Sequence, residues 1–297
     1  MIKKLKKHKI LYGITLVFLF IILFCIANII YCNNVLTYSH YDVETSKIKH
    51  DIKFVMISDT EGKSYGVGNY RLAYKVLNAD PEFVLILGDM VDKDNQDNTA
   101  DLEALCKILA DKVPVYYTLG NHENNKYTYE NGKPTSEFQK KIDATGANLL
   151  LNEMTDYTSK SGDRITIAGM RKYPFFEYDE PDFDNDENHL FQKFLAQEDD
   201  SHYSILMCHY PEVAIWKLHD YDIDLMVSGH THGGVIQIPF VGGIYAPEQG
   251  WFPDYYKGYY KMDNMQMIIS AGLNNTHNVP RFNNPLDVAV VTLKATK

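Results

Sequence analysis

The chain has 297 residues, 45% apolar and 23% charged, enough to bury a sizeable core without disulfide or metal staples. Its formal net charge is −10, but Lys3, Lys4, Lys6, Lys7 and Lys9 all precede the first acid, Asp42, so the remainder carries −15. That excludes a groove for long nucleic acid built on general positive potential. The four cysteines, Cys25, Cys32, Cys106 and Cys208, show neither CxxC spacing nor a disulfide framework.

In chain order, residues 1–9 read as a basic tail and 10–32 as a transmembrane signal anchor. The apolar run from Ile10 to Tyr31 gives roughly 22 residues and about 33 Å of helix, enough to cross a bilayer core. The preceding lysines keep the N-terminus cytoplasmic by the positive-inside rule and put the rest of the chain outside. No small-x-small site follows the run, so an uncleaved anchor is favoured over a cleaved signal peptide. Residues 33–50 read as a polar stalk, and 51–297 as one folded domain.

Lys53–Ser58 is an apolar run of strand length that ends at Asp59-x-Glu61. A helix follows around Arg71–Asn78. Pro81–Leu87 is a second buried strand, ending in Gly88-Asp89-x-x-Asp92, with a helix over 100–110. Val113–Thr118 is a third strand, ending in Gly120-Asn121-His122-Glu123. Each of these three α/β units sets ligand-type residues at a strand's carboxyl end, where sites in α/β sheets lie. Strands at 148–151 and 164–168 suggest a shift to a more antiparallel half. The acidic stretch Glu177–Glu187 includes Asp182-x-Asp184-x-Asp186. It lacks the glycine and distal glutamate of a calcium loop, with Glu187 and Lys193 at those positions, and reads as a solvated loop before a helix near 190–195.

His202–Cys208 is a strand followed by His209-x-Pro211, which starts a helix over 212–218. Asp224–Val227 ends a further buried strand and leads into Ser228-Gly229-His230-Thr231-His232-Gly233-Gly234. Strands follow at 235–239, 267–270 and 287–293, with an aromatic-rich segment at 251–260. The ligand candidates, Asp59, Glu61, Asp89, Asn121, His209, His230 and His232, all follow strands. Mixed carboxylate, amide and imidazole donors suit a pair of divalent ions such as manganese, iron or zinc better than a structural zinc.

Asp59-x-Glu61, Gly88-Asp89-x-x-Asp92, Gly120-Asn121-His122-Glu123, His209-x-Pro211 and Gly229-His230-x-His232 resemble, in order, the five blocks of the calcineurin-like metallophosphoesterases. Gly243–Pro247, Ser270-Ala-Gly272 and Pro280-Arg281-Phe282 resemble the close of their membrane-associated bacterial branch. The resemblance covers about residues 50–295. It implies an α/β fold, a four-layer αββα sandwich of two facing mixed sheets, here preceded by one N-terminal transmembrane helix. It further implies hydrolysis of a phosphomonoester or phosphodiester by a dinuclear metal-activated water at the extracytoplasmic membrane face. The partner would be a phosphorylated small molecule or a lipid-linked phosphate. By the same resemblance Asp59 and His232 belong to one metal, Asn121, His209 and His230 to the other, and Asp89 bridges both. His122 would act at the leaving-group oxygen, Asp92 would orient its ring, and Arg281 would contact the substrate phosphate. The first block departs from the family's Asp-x-His, because Glu61 adds a negative charge to the first metal's side. Two other readings stay open: a nucleotide phosphodiesterase or nuclease, and an inactive envelope protein that keeps the fold for binding.

Overall fold

A helix apolar on every side opens the chain in the computed structural model, which describes residues 2–95, 98–124, 128–130, 133–135, 137–170, 202–216, 223–262, 264–275 and 279–296. This helix, α1 (Ile2–Asn34), exposes Ile10, Leu11, Phe18, Phe20 and Leu23 in different directions. A soluble helix would bury one face, whereas all-round apolarity suits lipid. Its His8–Asn34 portion is long and apolar enough to cross a membrane.

The first half continues with β1 (Leu36–Thr45), β2 (Ile52–Ile57), α2 (Tyr70–Leu77), β3 (Phe83–Ile86), α3 (Ala100–Ala110), β4 (Val115–Tyr117) and α4 (Asn121–Asn124). Next come a small hairpin of β5 (Thr128–Glu130) and β6 (Lys133–Thr135), then α5 (Glu137–Asp143) and β7 (Asn148–Leu149). The second half has β8 (Glu153–Thr158), β9 (Arg164–Met170), β10 (Tyr203–Cys208), the short α6 (Glu212–Trp216) and β11 (Leu225–Ser228). It closes with β12 (Gln237–Ile238), β13 (Gly242–Gly243), β14 (Tyr245–Ala246), β15 (Gly250–Trp251), β16 (Gly258–Lys261), β17 (Gln266–Ile269) and β18 (Leu286–Ala295).

Two six-stranded mixed sheets result, ordered β1-β18-β2-β3-β4-β7 and β16-β17-β11-β10-β9-β8. Strand alternation explains the layers. Phe54 and Met56 of β2 turn inward with Phe83, Leu85, Ile205, Met207 and Val227 to fill the space between the sheets. Val55 and Ile57 turn outward with Val84 and Ile86, where Leu72, Val76, Leu102, Leu105 and Leu109 of α2 and α3 cover them. On the far side, Leu206, Met226 and Met267 pack with Val213 and Ala214 of α6. The fold is therefore a mixed α/β sandwich with helices outside both sheets.

Several expectations change. The stretch read as a stalk is largely β1, which pairs in parallel with β18 over its whole length, Leu36 opposite Leu286 through Thr45 opposite Ala295. Its half-exposed side chains are those of an edge strand, whose polarity imitates a linker. The second sheet is the more antiparallel of the two, as expected, with two antiparallel pairings against one in the first, but its centre is parallel. β9, β10, β11 and β17 are mutually parallel, and only the edges β8 and β16 run antiparallel. The strand expected at 235–239 shortens to the β12–β13 hairpin. The acidic stretch 177–187 and the helix expected near 190–195 lie outside the described residues.

Phe83 sits at the centre of the inter-sheet core. It stacks on Phe54 at 5.0 Å between centroids and meets Tyr157 at 4.8 Å and Tyr116 at 6.1 Å. Phe83→Ala should lower the stability of the folded chain by about 3–5 kcal/mol, because neighbouring aromatics cannot collapse into the space. Urea unfolding followed by tyrosine fluorescence checks this, and a loss under about 1 kcal/mol would show the core to be elsewhere.

Candidate metal centre

The site forms where strands of both sheets end, and the loops that leave them are tied together by backbone. Asp59 N and Glu61 N donate to the carbonyls of Gly88 and Asp89, lacing the loop after β2 to the loop after β3. Gly229 N donates to His209 O, lacing the loop after β11 to that after β10, and Leu273 N donates to Ser58 O between the two sheets. Such close approach requires glycine. A Cβ on Gly88, at φ +90°, would lie 2.1 Å from Gly120 N, and one on Gly229 would lie 2.7 Å from Asp59 Oδ2.

Asp59, Glu61, Asp89, His230 and His232 all have positive φ, between +47° and +69°. The left-handed region disfavours non-glycine residues by roughly 1–2 kcal/mol each, so packing around the site holds a strained backbone. These five side chains are buried, as are His122 and His209.

Four imidazoles converge, and each ring has its outer nitrogen fixed. Nδ1 of His209 donates to Leu87 O at 2.7 Å, Nδ1 of His122 to Val91 O at 3.0 Å and Nδ1 of His232 to Asn274 O at 3.0 Å. A carbonyl only accepts, so these rings present Nε2 inward. His230 is reversed: its Nε2 donates to the Glu248 carboxylate at 2.6 Å, and its buried Nδ1 has no hydrogen-bond partner. Holding the outer nitrogen on a carbonyl or carboxylate is how proteins orient metal-ligating histidines.

Asp89 lies at the middle. Its Oδ1 accepts from His122 N at 2.8 Å, and its Oδ2 is 3.2 Å from His209 Nε2 and 3.7 Å from His122 Nε2. Burial works to raise the Asp89 pKa, but His209, with His122 and His230, holds the carboxyl well below the usual range. Burial likewise works to lower the His209 pKa, and the Asp89 and Asp59 carboxylates push it up to about 10. Burial dominates at His232, whose pKa falls to about 4.

Among the described residues two groups could each hold a cation, Asp89–His209–His230 and Glu61–Asp89–His122, with ligand atoms within 4.8 Å of one another. Asp89 is common to both. The buried Asn121 Oδ1 also lacks a hydrogen-bond partner. Inward lone pairs of imidazole, carboxylate and amide oxygen form a donor set that fits divalent ions. Asp59 stands at the rim of these groups, its carboxylate accepting from His230 N at 3.0 Å and lying 3.9 Å from His209 Nε2. His232 Nε2 is 3.5 Å from Glu61 Oε1, so the unusual glutamate sits in the middle of the cluster.

Two expected residues stand elsewhere. Arg281 is fully buried, and its guanidinium donates to the carbonyls of Gly272, Asn274, His232 and Ala271 instead of facing the centre. The Asp92 carboxylate accepts from Asp94 N at 2.8 Å, and the Val91 carbonyl takes the His122 Nδ1 proton in its place. Two carboxylates were not anticipated as site residues. Glu123, quoted only as part of a motif, accepts from the backbone N–H of Asp89, Met90 and Gly120 and from the Tyr117 hydroxyl. Glu248 orients His230, and nothing in its local sequence marks it.

The chain is similar to known proteins. A family profile described as "Calcineurin-like phosphoesterase" matches residues 52–234, more than half of the chain. The Bacillus subtilis (strain 168) protein named "Uncharacterized metallophosphoesterase YkuE" is 28% identical over 267 residues, covering 87% of this chain and 85% of that one. A Campylobacter jejuni metallophosphoesterase is 30% identical over 267 residues, covering 86% of this chain and 63% of the relative's own length. Among solved structures, the Haemophilus influenzae NAD nucleotidase aligns with a TM-score of 0.48 at 17% identity, over 75% of this chain and 46% of that one.

Glu123→Ala should strip three buried N–H groups of their acceptor and cost about 2–4 kcal/mol of stability. Denaturant unfolding of the chelator-treated protein measures this without any contribution from bound ions. An unchanged midpoint would mean that the Asp89 loop does not need the carboxylate.

Proposed function

The chain belongs to the calcineurin-like phosphoesterase family, and from that premise we propose that it is a membrane-anchored hydrolase cleaving phosphate esters at a pair of divalent ions. One observation carries the reading: Asp89 is shared by two overlapping groups of buried ligand atoms, as a bridging carboxylate must be. Asp59, Glu61 and His232 would hold one ion, and Asn121, His209 and His230 the other. Two ions bound there supply Lewis acidity and an activated water for in-line attack at phosphorus.

The chain's own groups perform the remaining tasks. His122, its Nδ1 held by Val91, turns Nε2 toward the carboxylates, and with both ring nitrogens protonated it would pass the Nε2 proton to the leaving-group oxygen and keep the Nδ1 proton on the Val91 carbonyl. Arg281 and Asn284 grip the His232 carbonyl and keep that turn in place. The body's negative charge repels anions at long range, so phosphate must be attracted locally by the bound ions. Glu61, replacing the family's histidine, lowers the net positive charge and favours oxygen-preferring ions such as manganese or iron over zinc. The lysines of residues 3–9, ahead of the apolar stretch of α1, support a cytoplasmic N-terminus, a single membrane pass and an extracytoplasmic catalytic domain. That location favours a lipid-linked or other cell-envelope phosphate as substrate.

Asp89→Asn should lower hydrolysis of p-nitrophenyl phosphate and bis-p-nitrophenyl phosphate at least about 100-fold, near 2.7 kcal/mol of transition-state stabilisation, and reduce metal content. Equal metal content and equal rates in both proteins would sink the enzyme reading. Glu61→His should shift selectivity from manganese toward zinc while leaving the unfolding transition in place. Competition dialysis with metal analysis reads this directly, and unchanged selectivity would remove Glu61 from the ligand set.

A further inference from the structure

The helix that could cross a membrane does not end in a loose tether. Asn28 of α1 exchanges two hydrogen bonds with Asn283: its Nδ2 donates to Asn283 Oδ1 at 2.8 Å, and its Oδ1 accepts from Asn283 N at 2.8 Å. One turn later Asn33 pairs in the same way with the Arg281 backbone, at 2.9 and 3.0 Å. The Asn33 carbonyl also accepts from Lys63 Nζ at 2.7 Å. The globular body is therefore bound to the helix at two levels.

Depth follows from counting. A hydrocarbon core of ~30 Å takes about 20 helical residues. Counted from Ile10, just after the last lysine, it ends near Ile29. Asn28 therefore lies within about 5 Å of the hydrocarbon edge at 1.5 Å rise per residue. Whatever is bonded beside Asn28 is at the membrane interface.

Asn283 in turn donates Nδ2 to Gln237 O at 3.2 Å, and Gln237 N donates to Phe282 O at 2.9 Å. This fixes the β12–β13 hairpin next to the Asn28 level. Its turn reads Ile238-Pro-Phe-Val241, with Phe240 fully exposed and Ile238 and Val241 close to half-exposed. No charged residue occurs from Val235 to Ala246. The neighbouring hairpin adds exposed Trp251 and Phe252, residue types that interfacial segments bury in the headgroup boundary.

Strand directions orient the body. β1 runs parallel to β18, and β18 runs antiparallel to β2. The chain thus passes from α1 into β1 at the end of the sheet where β2 leads to Asp59. The membrane-side end of the domain is the metal-centre end.

We propose that the β12–β13 hairpin, with Phe240 at its tip, inserts into the same bilayer that α1 crosses, so that the domain rests on the membrane with its metal-centre end toward the lipid. The proposal builds on α1 being a membrane anchor. The occupant of this surface is the lipid bilayer, because the exposed apolar tip is bonded beside a helix already at that depth.

The test uses the full chain in liposomes of phosphatidylethanolamine and phosphatidylglycerol. Cys25→Ser leaves only Cys32, Cys106 and Cys208, which are buried. Single spin labels are attached at Phe240→Cys, at Leu19→Cys within the helix and at Ser161→Cys in the turn before β9, at the opposite end of the strands. Collision with oxygen and with a water-soluble nickel chelate reports depth. The expected result is that position 240 favours oxygen, as position 19 does, by at least about threefold over position 161. Nickel access at 240 equal to that at 161 would overturn the proposal. Shielding from both reagents would assign the surface to a protein partner and overturn it equally. Nickel access at position 19 would remove the anchor itself and the proposal with it. Phe240→Ser should leave hydrolysis of soluble p-nitrophenyl phosphate within twofold of the parent. Absent hydrolysis in the parent itself, with position 240 in lipid, would refute the catalytic reading alone.

Discussion

Burying four carboxylates within a few ångströms of one another is the constraint on which this structure depends. Asp59, Glu61, Asp89 and Glu123 are all almost wholly excluded from water. Each buried charge carries a penalty of several kcal/mol unless hydrogen bonds and countercharge offset it. Glu123 meets the requirement with four donors, Asp59 with the His230 backbone, and Asp89 with His122 N and the facing His209 ring. Glu61 faces His122 and His232 at 4.0 and 3.5 Å, within ion-pair distance. Imidazole charge alone is an incomplete answer, since burial holds His232 near a pKa of about 4. Divalent cations would complete it, and the same ions would turn a carboxylate-rich cavity into one that attracts phosphate.

The backbone carries the second half of this cost. Five of the seven expected ligand residues adopt left-handed φ, where their side chains are disfavoured. Sharp turns at the strand ends bring carboxylates and imidazoles from five loops into one volume, which regular strand geometry would not do. Gly88, Gly120 and Gly229 make the approach sterically feasible. Two sheets packed on Phe54, Phe83, Ile205 and Val227 supply the rigidity that keeps the turns from relaxing.

Much of this was legible in the sequence because buried strands are apolar and short, and because the ligand residues follow them directly. β2, β3, β4, β10 and β11 announce themselves in that way, and the order of their polar ends is the order of the site. β1 was not legible: an edge strand with one face half in water has the composition of a linker. The parallel centre of the second sheet was also beyond reach, since an apolar run has no polarity of its own. Arg281 looked like a phosphate ligand because the guanidinium fork suits carbonyls as well as phosphate, and only burial distinguishes the two. The Val91 carbonyl, which orients His122, has no sequence signature at all, and Asp92 stood beside it as a chemically sensible decoy. Glu248 lies 18 residues beyond His230 and meets it only through the path of the β14–β15 hairpin.

The Arg281 segment also explains why the candidate membrane-spanning helix and the His232 turn share one structural unit. Asn33, in the last turn of α1, pairs with the Arg281 backbone, and the Arg281 guanidinium holds the carbonyl of His232. Asn284, three residues beyond Arg281, grips the same carbonyl, while Asn283 between them binds Asn28 and Gln237. Arg281 and Asn283 therefore face the helix with backbone and amide groups, while Arg281 and Asn284 face the His232 turn with their side chains. A flexible stalk would let the catalytic body sample many orientations above a bilayer. Here a full-length edge strand replaces it, and the strand's own first residue is only two positions beyond the end of the helix. The geometry that satisfies the buried arginine is thus the same geometry that holds the metal centre at a fixed height and tilt relative to α1.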